Sequence, residues 1–421
     1  MFEQNSSYRD LELPKLYRYS GLFVIIGLIL LHWSQSMYFV AGQAARLGSL
    51  GVGFGLIILA AYLRARGRLY HHIPLVLFSG LYFSALALLT KVQGHMIFYD
   101  KQQQIFCLVC LVLFWCGYIL ASEKKQDFIS ANQLILVVVA LVAIISLSAF
   151  LRFVKDLSFY GTERGYADTT LNPVGVAYAN ACLGIVLSIV GLLTKSLWRK
   201  SIFFMASALA LLVVLSSASR GAVIWLIATA FMYLALNRKR KYISIRGISF
   251  SLVGLILILP ILVFFYKTNY GISERIDVLF LRLESIYLYL IGQSVDGSIG
   301  AREGMWQYYM SNIDNWIFLG EKGYSGYPHN QWLEIGVRFG LLGLPIFAMS
   351  VFLFTWLINL IVRGQLRVDL EYSIIFALFL FSYFSSMTSL SLQVNRALWL
   401  GFGYLLGFYI SRRKRHLRFA S

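Results

Sequence analysis

The chain has 421 residues, 59% apolar and only 13% charged, where a soluble globular protein is about half apolar and a quarter charged. Apolar runs of about 20 residues recur along its length, each enough to cross a bilayer as a helix; this excludes a soluble domain, and because the runs do not alternate they exclude a β-barrel as well. The net charge of +18 does not point to nucleic acid, since most lysines and arginines sit in short connections between apolar runs, as the positive-inside rule requires.

In chain order the runs predict an all-α polytopic membrane protein of about twelve spans, at 20–41, 46–63, 72–91, 104–122, 130–151, 172–194, 201–218, 220–236, 247–266, 340–362, 372–391 and 396–411. Residues 1–19 are polar, and the first run is long enough to stay as a helix, so no cleavable signal is expected. Basic clusters precede the first span (Arg9, Lys15, Arg18) and follow the second (Arg64, Arg66, Arg68), the fourth (Lys124, Lys125), the sixth (Lys195, Arg199, Lys200), the eighth (Arg238 to Arg246), the tenth (Arg363, Arg367) and the twelfth (Arg412 to Arg418). With twelve spans all fall on one side, which places both termini in the cytoplasm. The whole chain reads as one integral membrane domain. Cys107, Cys110 and Cys116 share one apolar run and Cys182 lies in another; without partnering ligands they read as packing residues, not a metal or redox pair.

The opposite side holds three features: the 152–171 loop with Arg152, Lys155, Arg164 and Asp168, a tight turn at 217–220, and one long polar insertion, 267–338, between spans nine and ten. Within the insertion, 274–291 has the spacing of an amphipathic helix, with Ile276, Leu279, Phe280, Leu283, Ile286, Tyr287 and Leu290 on one face. A second helix is expected from about Ala301 to Asn312. Gly320, Gly323 and Gly326 mark an irregular turn before Pro328, and from Gln331 a helix leads into the tenth span.

Three residues on this side draw chemical interest. Arg220, in Ser-Ser-Ala-Ser-Arg-Gly-Ala, reads either as an interfacial arginine reaching to headgroups or as part of an anion path facing the bundle. Arg302, in Gly-Ala-Arg-Glu, suits the first turn of a helix, where N–H groups also favour an anion, and its guanidinium can fork onto phosphate; the other reading is an ion pair with Glu303 or Asp296. His329 is the one histidine of the long insertion. It is either a structural group or a base for a hydroxyl nucleophile, oriented by Asn330 or Glu334. No second ligand has metal spacing near it, and neither a phosphate-binding Gly-x-x-x-x-G-K-S/T loop nor an Asp-x-Asp motif occurs. A reaction here needs a pre-activated, phosphate-bearing substrate that arrives from the membrane.

At this point the chain resembles the O-antigen ligase and polymerase superfamily of bacterial inner membranes. Ser-Ala-Ser-Arg220-Gly-Ala is similar to that family's Ser/Thr-rich Arg-Gly/Ala opening of a span. Ser-Ile-Gly-Ala-Arg302 is similar to its periplasmic Gly-x-Arg, and Pro-His329-Asn330-x-x-Leu-Glu334, followed by Arg-Phe-Gly-Leu-Leu-Gly, to its His-Asn-x-x-Leu and Gly-x-x-Gly pattern. Asn172-Pro173-Val-Gly175 and Gly-Val-Ala-Tyr178 resemble the start of its sixth span. The likeness covers roughly residues 160 to 390. It implies an inverting, metal-independent glycosyltransferase of lipopolysaccharide biosynthesis with no cofactor, a large periplasmic loop between spans nine and ten, and an active site on the periplasmic face of the inner membrane. It also implies an undecaprenyl-diphosphate-linked glycan as donor and lipid A–core oligosaccharide as acceptor. Arg220 and Arg302 would grip the diphosphate, with Arg164 adding positive charge, and His329 would assist the acceptor hydroxyl. Trp306, Tyr308, Tyr324, Tyr327 and Trp332 offer rings for sugars, as they would for a membrane-interface belt. The Gly-Ala-Arg and Gly-Val-Ala-Tyr stretches lean to the ligases over the polymerases. The rival from another class is a transporter, which calls for paired halves and broken or charged helices at mid-membrane depth.

Overall fold

The computed structural model describes residues 19–65, 68–95, 101–123, 173–194, 196–217, 219–237, 270–293, 297–323, 328–363, 370–388 and 395–420. Among these the chain is all-helical: α1 (Ser20–Ala65), α2 (Ile73–Val92), α3 (Lys101–Ser122), α4 (Pro173–Leu193), α5 (Leu197–Ser216), α6 (Arg220–Asn237), α7 (Tyr270–Leu290), α8 (Gly297–Ser311), α9 (Gln331–Phe339), α10 (Leu344–Val362), α11 (Leu370–Ser386) and α12 (Arg396–Ala420). Four helical stretches among the described residues are long and apolar enough to cross a membrane, at Ala44–Ala65, Leu69–Val92, Leu197–Leu215 and Gln331–Val362. The runs expected at 130–151 and 247–266, and the 152–171 loop with Arg164, lie outside the described residues.

Although α1 is helical throughout, it doubles back on itself. A Cβ added at Gly27 would sit 2.7 Å from the Gly53 carbonyl, while residues about 26 apart lie roughly 39 Å apart on a straight helix. Ser49 Oγ donates to the Leu30 carbonyl at 3.2 Å and Arg64 Nε to Ser20 Oγ at 3.0 Å. These pairs place the reversal near residues 40–42 and match the two expected runs, 20–41 and 46–63.

Arg64 closes one end of the bundle. Its guanidinium forks onto Glu371 at 2.7 and 2.5 Å and donates to the Leu120 carbonyl at 2.9 Å, and the Tyr404 hydroxyl donates to the same carboxylate at 2.7 Å. Arg64 and Glu371 are each 2% exposed. The start of α1, the ends of α1 and α3 and the start of α11 therefore meet in one plane. His72, just before α2, stands 3.2 Å from Glu123, just after α3, at this same end.

The closest helix pair is α3 with α12. They run in the same direction, with Gly403 against the Phe114 carbonyl and Gly407 against that of Tyr118; a Cβ on Gly403 would come within 1.9 Å of its neighbour. Small residues at such a seam let backbones approach where larger ones hold them apart. Gly403→Ala must push the helices apart, and overpacking of this kind costs about 1–3 kcal/mol. The expected result is a lower melting temperature in detergent with an unchanged helical spectrum.

Two sequence expectations are refined. The helix beginning at Gln331 does not run unbroken into α10: Gly340 takes φ +55°, and a Cβ there would strike the Phe318 backbone at 2.5 Å. A short 3₁₀ turn, Gly340–Gly343, therefore separates α9 from α10. In α7 the apolar residues do not share one buried face. Leu279 is buried, while Phe280, Tyr287 and Leu290 are among the most exposed apolar residues of those described.

Candidate functional site

At the end opposite Arg64, five segments are linked in a ring. The turn after α5 is short: Ser217 Oγ donates to the Val214 carbonyl at 2.6 Å and accepts from the Ser219 amide at 3.3 Å. This starts α6 at Arg220, whose half-buried side chain reaches α7, with Nη1 3.3 Å from both the Arg282 carbonyl and Ser285 Oγ. From α7 the Tyr289 hydroxyl donates to the Glu303 carboxylate on α8. That bond takes up one of the two acids the sequence offers Arg302; the other, Asp296, lies outside the described residues. Arg302 is half-buried and falls in the second turn of α8, not the first, because the helix already begins at Gly297.

Arg302 stands beside His329, near enough for its charge to oppose protonation of the ring. The Trp306 indole N–H donates to the Pro328 carbonyl at 2.6 Å, which ties the segment before the histidine to α8. An imidazole N–H donates to the Thr388 carbonyl at the end of α11. Thr388 Oγ1 accepts from the Trp225 indole at 2.7 Å, and Trp225 stacks on Phe384 with centroids 5.3 Å apart. This returns the ring to α6, one to two turns beyond Arg220. Of the residues marked in the sequence, Arg302 and His329 are thus brought together, and Arg220 joins them through α7 on one side and Trp225 on the other.

His329 is the one non-glycine residue at positive φ among the described residues, at +54°. Such a conformation is uncommon outside glycine and is held in place by surrounding structure. The restraints lie on either side of it. Pro328 is fixed by Trp306. Asn330 caps α9, its side-chain oxygen accepting from the Trp332 and Leu333 amides at 3.0 and 3.2 Å. Gln331, wholly buried, donates to Ser350 of α10 at 3.2 Å and accepts from Ser386 of α11.

Burial holds the His329 ring below the usual histidine range; the nearby Arg302 charge adds to this and the Thr388 carbonyl opposes it. The ring is therefore neutral at pH 7, the form that can accept a proton. The two residues expected to orient it have other partners. Asn330 is used as the helix cap, and Glu334, buried, pairs with Arg338 one turn on at 2.9 Å.

A second polar cluster braces the site, and nothing in sequence spacing marks it. His95 Nε2 lies 2.6 Å from the Glu321 carbonyl, the Gly323 amide donates to the Gln93 carbonyl at 2.8 Å, and the Glu321 amide to that of Val337 at 2.7 Å. The end of α2 is thereby strapped to the glycine turn and to α9. Burial lowers the His95 ring, helped by Arg338 and opposed by the Glu321 carbonyl. Burial also pushes the Tyr309 hydroxyl up to about 12, with the Glu321 charge adding to it. Of the aromatic residues, Trp306, Tyr308 and Trp332 are partly exposed, and Tyr324 and Tyr327 lie outside the described residues. Among the described residues no group of three or more His, Cys, Asp or Glu side chains could hold a metal ion.

Comparison with known proteins finds no matching family model, no matching curated protein and no matching solved structure.

Proposed function

We propose that the chain is a glycosyltransferase of the bacterial inner membrane, an O-antigen ligase. It transfers a glycan from undecaprenyl diphosphate to lipid A–core oligosaccharide, with inversion and without a metal. The observation that carries this reading is the pairing of Arg302 with a neutral, backbone-restrained His329, at the bundle end where Arg220 is held. Guanidinium groups stabilise charge growing on a diphosphate leaving group, and a neutral imidazole takes the proton of the attacking hydroxyl. Twelve spans with cytoplasmic termini follow from the basic clusters. The count is supported by the meeting of Ser20, Arg64, Leu120 and Glu371 at one end and of His95 with Glu321 at the other.

The test is a transfer assay with purified protein, lipid-linked glycan, lipid A–core and a chelator, with variants of Arg220, Arg302 and His329 alongside. Chelator-resistant transfer to lipid A–core that fails in the variants is the expected result. A ladder of longer lipid-linked glycans with lipid A–core untouched would replace the ligase by a polymerase. Export of lipid-linked glycan without any transfer would replace both by a transporter.

The pH dependence has a definite sign. A base whose pKa is lowered stays competent below the usual histidine value, so the acid limb of kcat/KM should lie below pH 6.5. In Arg302→Gln the opposing charge is gone, and the limb of the residual activity should move up towards 6.5. A limb that does not move would separate the two residues.

A further inference from the structure

We propose that the corner formed by Phe318, Leu319, Leu341 and Leu342 is a lipid-contact surface, at which the polar insertion dips into the acyl chains of the leaflet on that side. This stands apart from the reading of Arg302 and His329 and needs only that the chain lies in a membrane.

The level of the corner is set by α2. Lys91, near the end of that helix, is exposed, and the exposed Lys322 is brought to the same end because the Gly323 amide donates to the Gln93 carbonyl at 2.8 Å. Lysines at a helix end reach for headgroups. From there the chain turns inward. Gln93 Nε2 donates to the Leu319 and Gly320 carbonyls, the Leu341 amide donates to the Phe318 carbonyl at 3.1 Å, and the Tyr82 hydroxyl donates to the Leu342 carbonyl at 2.5 Å. Tyr82 precedes Lys91 by nine residues, about 14 Å along the helix, and lies near the middle of the apolar stretch Leu69–Val92. The corner therefore sits between the end of α2 and its midpoint.

Its side chains and its backbone face opposite ways. Phe318 and Leu319 are 68% and 57% exposed, and Leu341 and Leu342 are exposed beside them. The peptide groups are bonded inward: besides the contacts above, the Gly320 amide donates to the Trp316 carbonyl at 2.8 Å and the Ile317 amide to that of Ile313 at 2.9 Å. Gly320 and Gly340, both at positive φ, let the two backbone segments meet this closely. A loop in water can leave such groups to the solvent. At membrane depth irregular backbone is tolerated only where the protein itself meets its polar groups.

What covers these side chains follows from their neighbours. Tyr82 and Gln93 are eleven residues apart, within about 20° of each other around α2, so both bonds leave from one stripe. The adjacent stripe carries Leu81, Leu88 and Val92, all exposed, and on the other side of the corner the exposed surface continues through Leu344 and Phe352 of α10. Both helices lie in stretches long and apolar enough to cross a membrane. The corner joins their outer faces into one apolar surface, and acyl chains that cover the faces cover the corner as well. Because α9 runs from just after His329 to this corner, the bilayer supports the far end of the arm that carries the histidine.

The experiment is spin labelling of the full-length protein in phosphatidylcholine–phosphatidylglycerol vesicles, in a background without the four native cysteines that keeps the wild-type helical spectrum. Labels at Phe318→Cys and Leu341→Cys are compared with labels at Phe78→Cys, on the exposed side of α2, and at Lys322→Cys. The ratio of relaxation by oxygen to relaxation by a neutral, water-soluble nickel chelate should be at least about tenfold higher at the first two sites than at Lys322→Cys, and close to that at Phe78→Cys, since a polar complex loses its hydrogen bonds on entering hydrocarbon. A ratio equal to that at Lys322→Cys would overturn the proposal and leave the corner in water. Weak relaxation by both reagents would overturn it in favour of a contact between protein surfaces. If Phe318→Cys does not fold, Leu341→Cys and Leu319→Cys decide.

Discussion

Arg302→Lys should reduce glycan transfer by about 10²- to 10³-fold, the range for losing one positioned stabiliser of transition-state charge, with the protein still folded and inserted. The charge stays, so long-range attraction for a diphosphate stays. What is lost is a planar fork that can hold two oxygens at once. Arg302 is half-buried on the second turn of α8 and Glu303 is already engaged by Tyr289, so a lysine there has no neighbouring rearrangement to restore the geometry. Initial rates at saturating donor check this, with size-exclusion profiles as the control for folding. Activity within a factor of a few of wild type would remove Arg302 from the reaction.

Arg64→Ala should have the largest effect on stability, about 3–5 kcal/mol, because it strands Glu371 as a buried charge. Three further groups converge on this pair, the Ser20 hydroxyl, the Leu120 carbonyl and the Tyr404 hydroxyl, and the two residues are each 2% exposed, so water cannot take over the lost contacts. Replacing both members, Arg64→Met with Glu371→Leu, should be much milder, since an apolar pair of similar volume removes the charge to be satisfied. Thermal melts of the three variants in one detergent decide it. If the single and double variants melt together, the pair contributes through packing and not through charge. The pair is far from His329, so the double variant should keep the pH profile of transfer.

Much of the scaffold was legible from hydropathy alone, because lipid imposes a length on each helix. The reversal within α1 fell where the two short runs met, and α6 began at Arg220 as the Ser-rich turn required. The sided arrangement of α7 was not legible. Period 3.6 identifies the helix, but apolar residues facing outward and inward look the same in a chain whose surroundings are themselves apolar; only Leu279 of its predicted face is deeply buried. The approach of Arg302 to His329 spans an intervening turn whose path depends on Gly320, Gly340 and the strap from His95, none of which spacing can join.

The ring around His329 closes on Thr388, and Arg64 is neutralised by Glu371. Both partners lie in the last eighth of the chain. During synthesis, Arg64 therefore enters the membrane long before the carboxylate that neutralises it has been translated, and the His329 turn is made before the carbonyl that steadies it exists. The nascent protein must hold a buried cation and an unfinished site until its final two helices arrive. Order of emergence, not helix insertion alone, then sets when the molecule can first pass for complete, and a ribosome that stops early leaves a product marked for removal by its own unmatched charge.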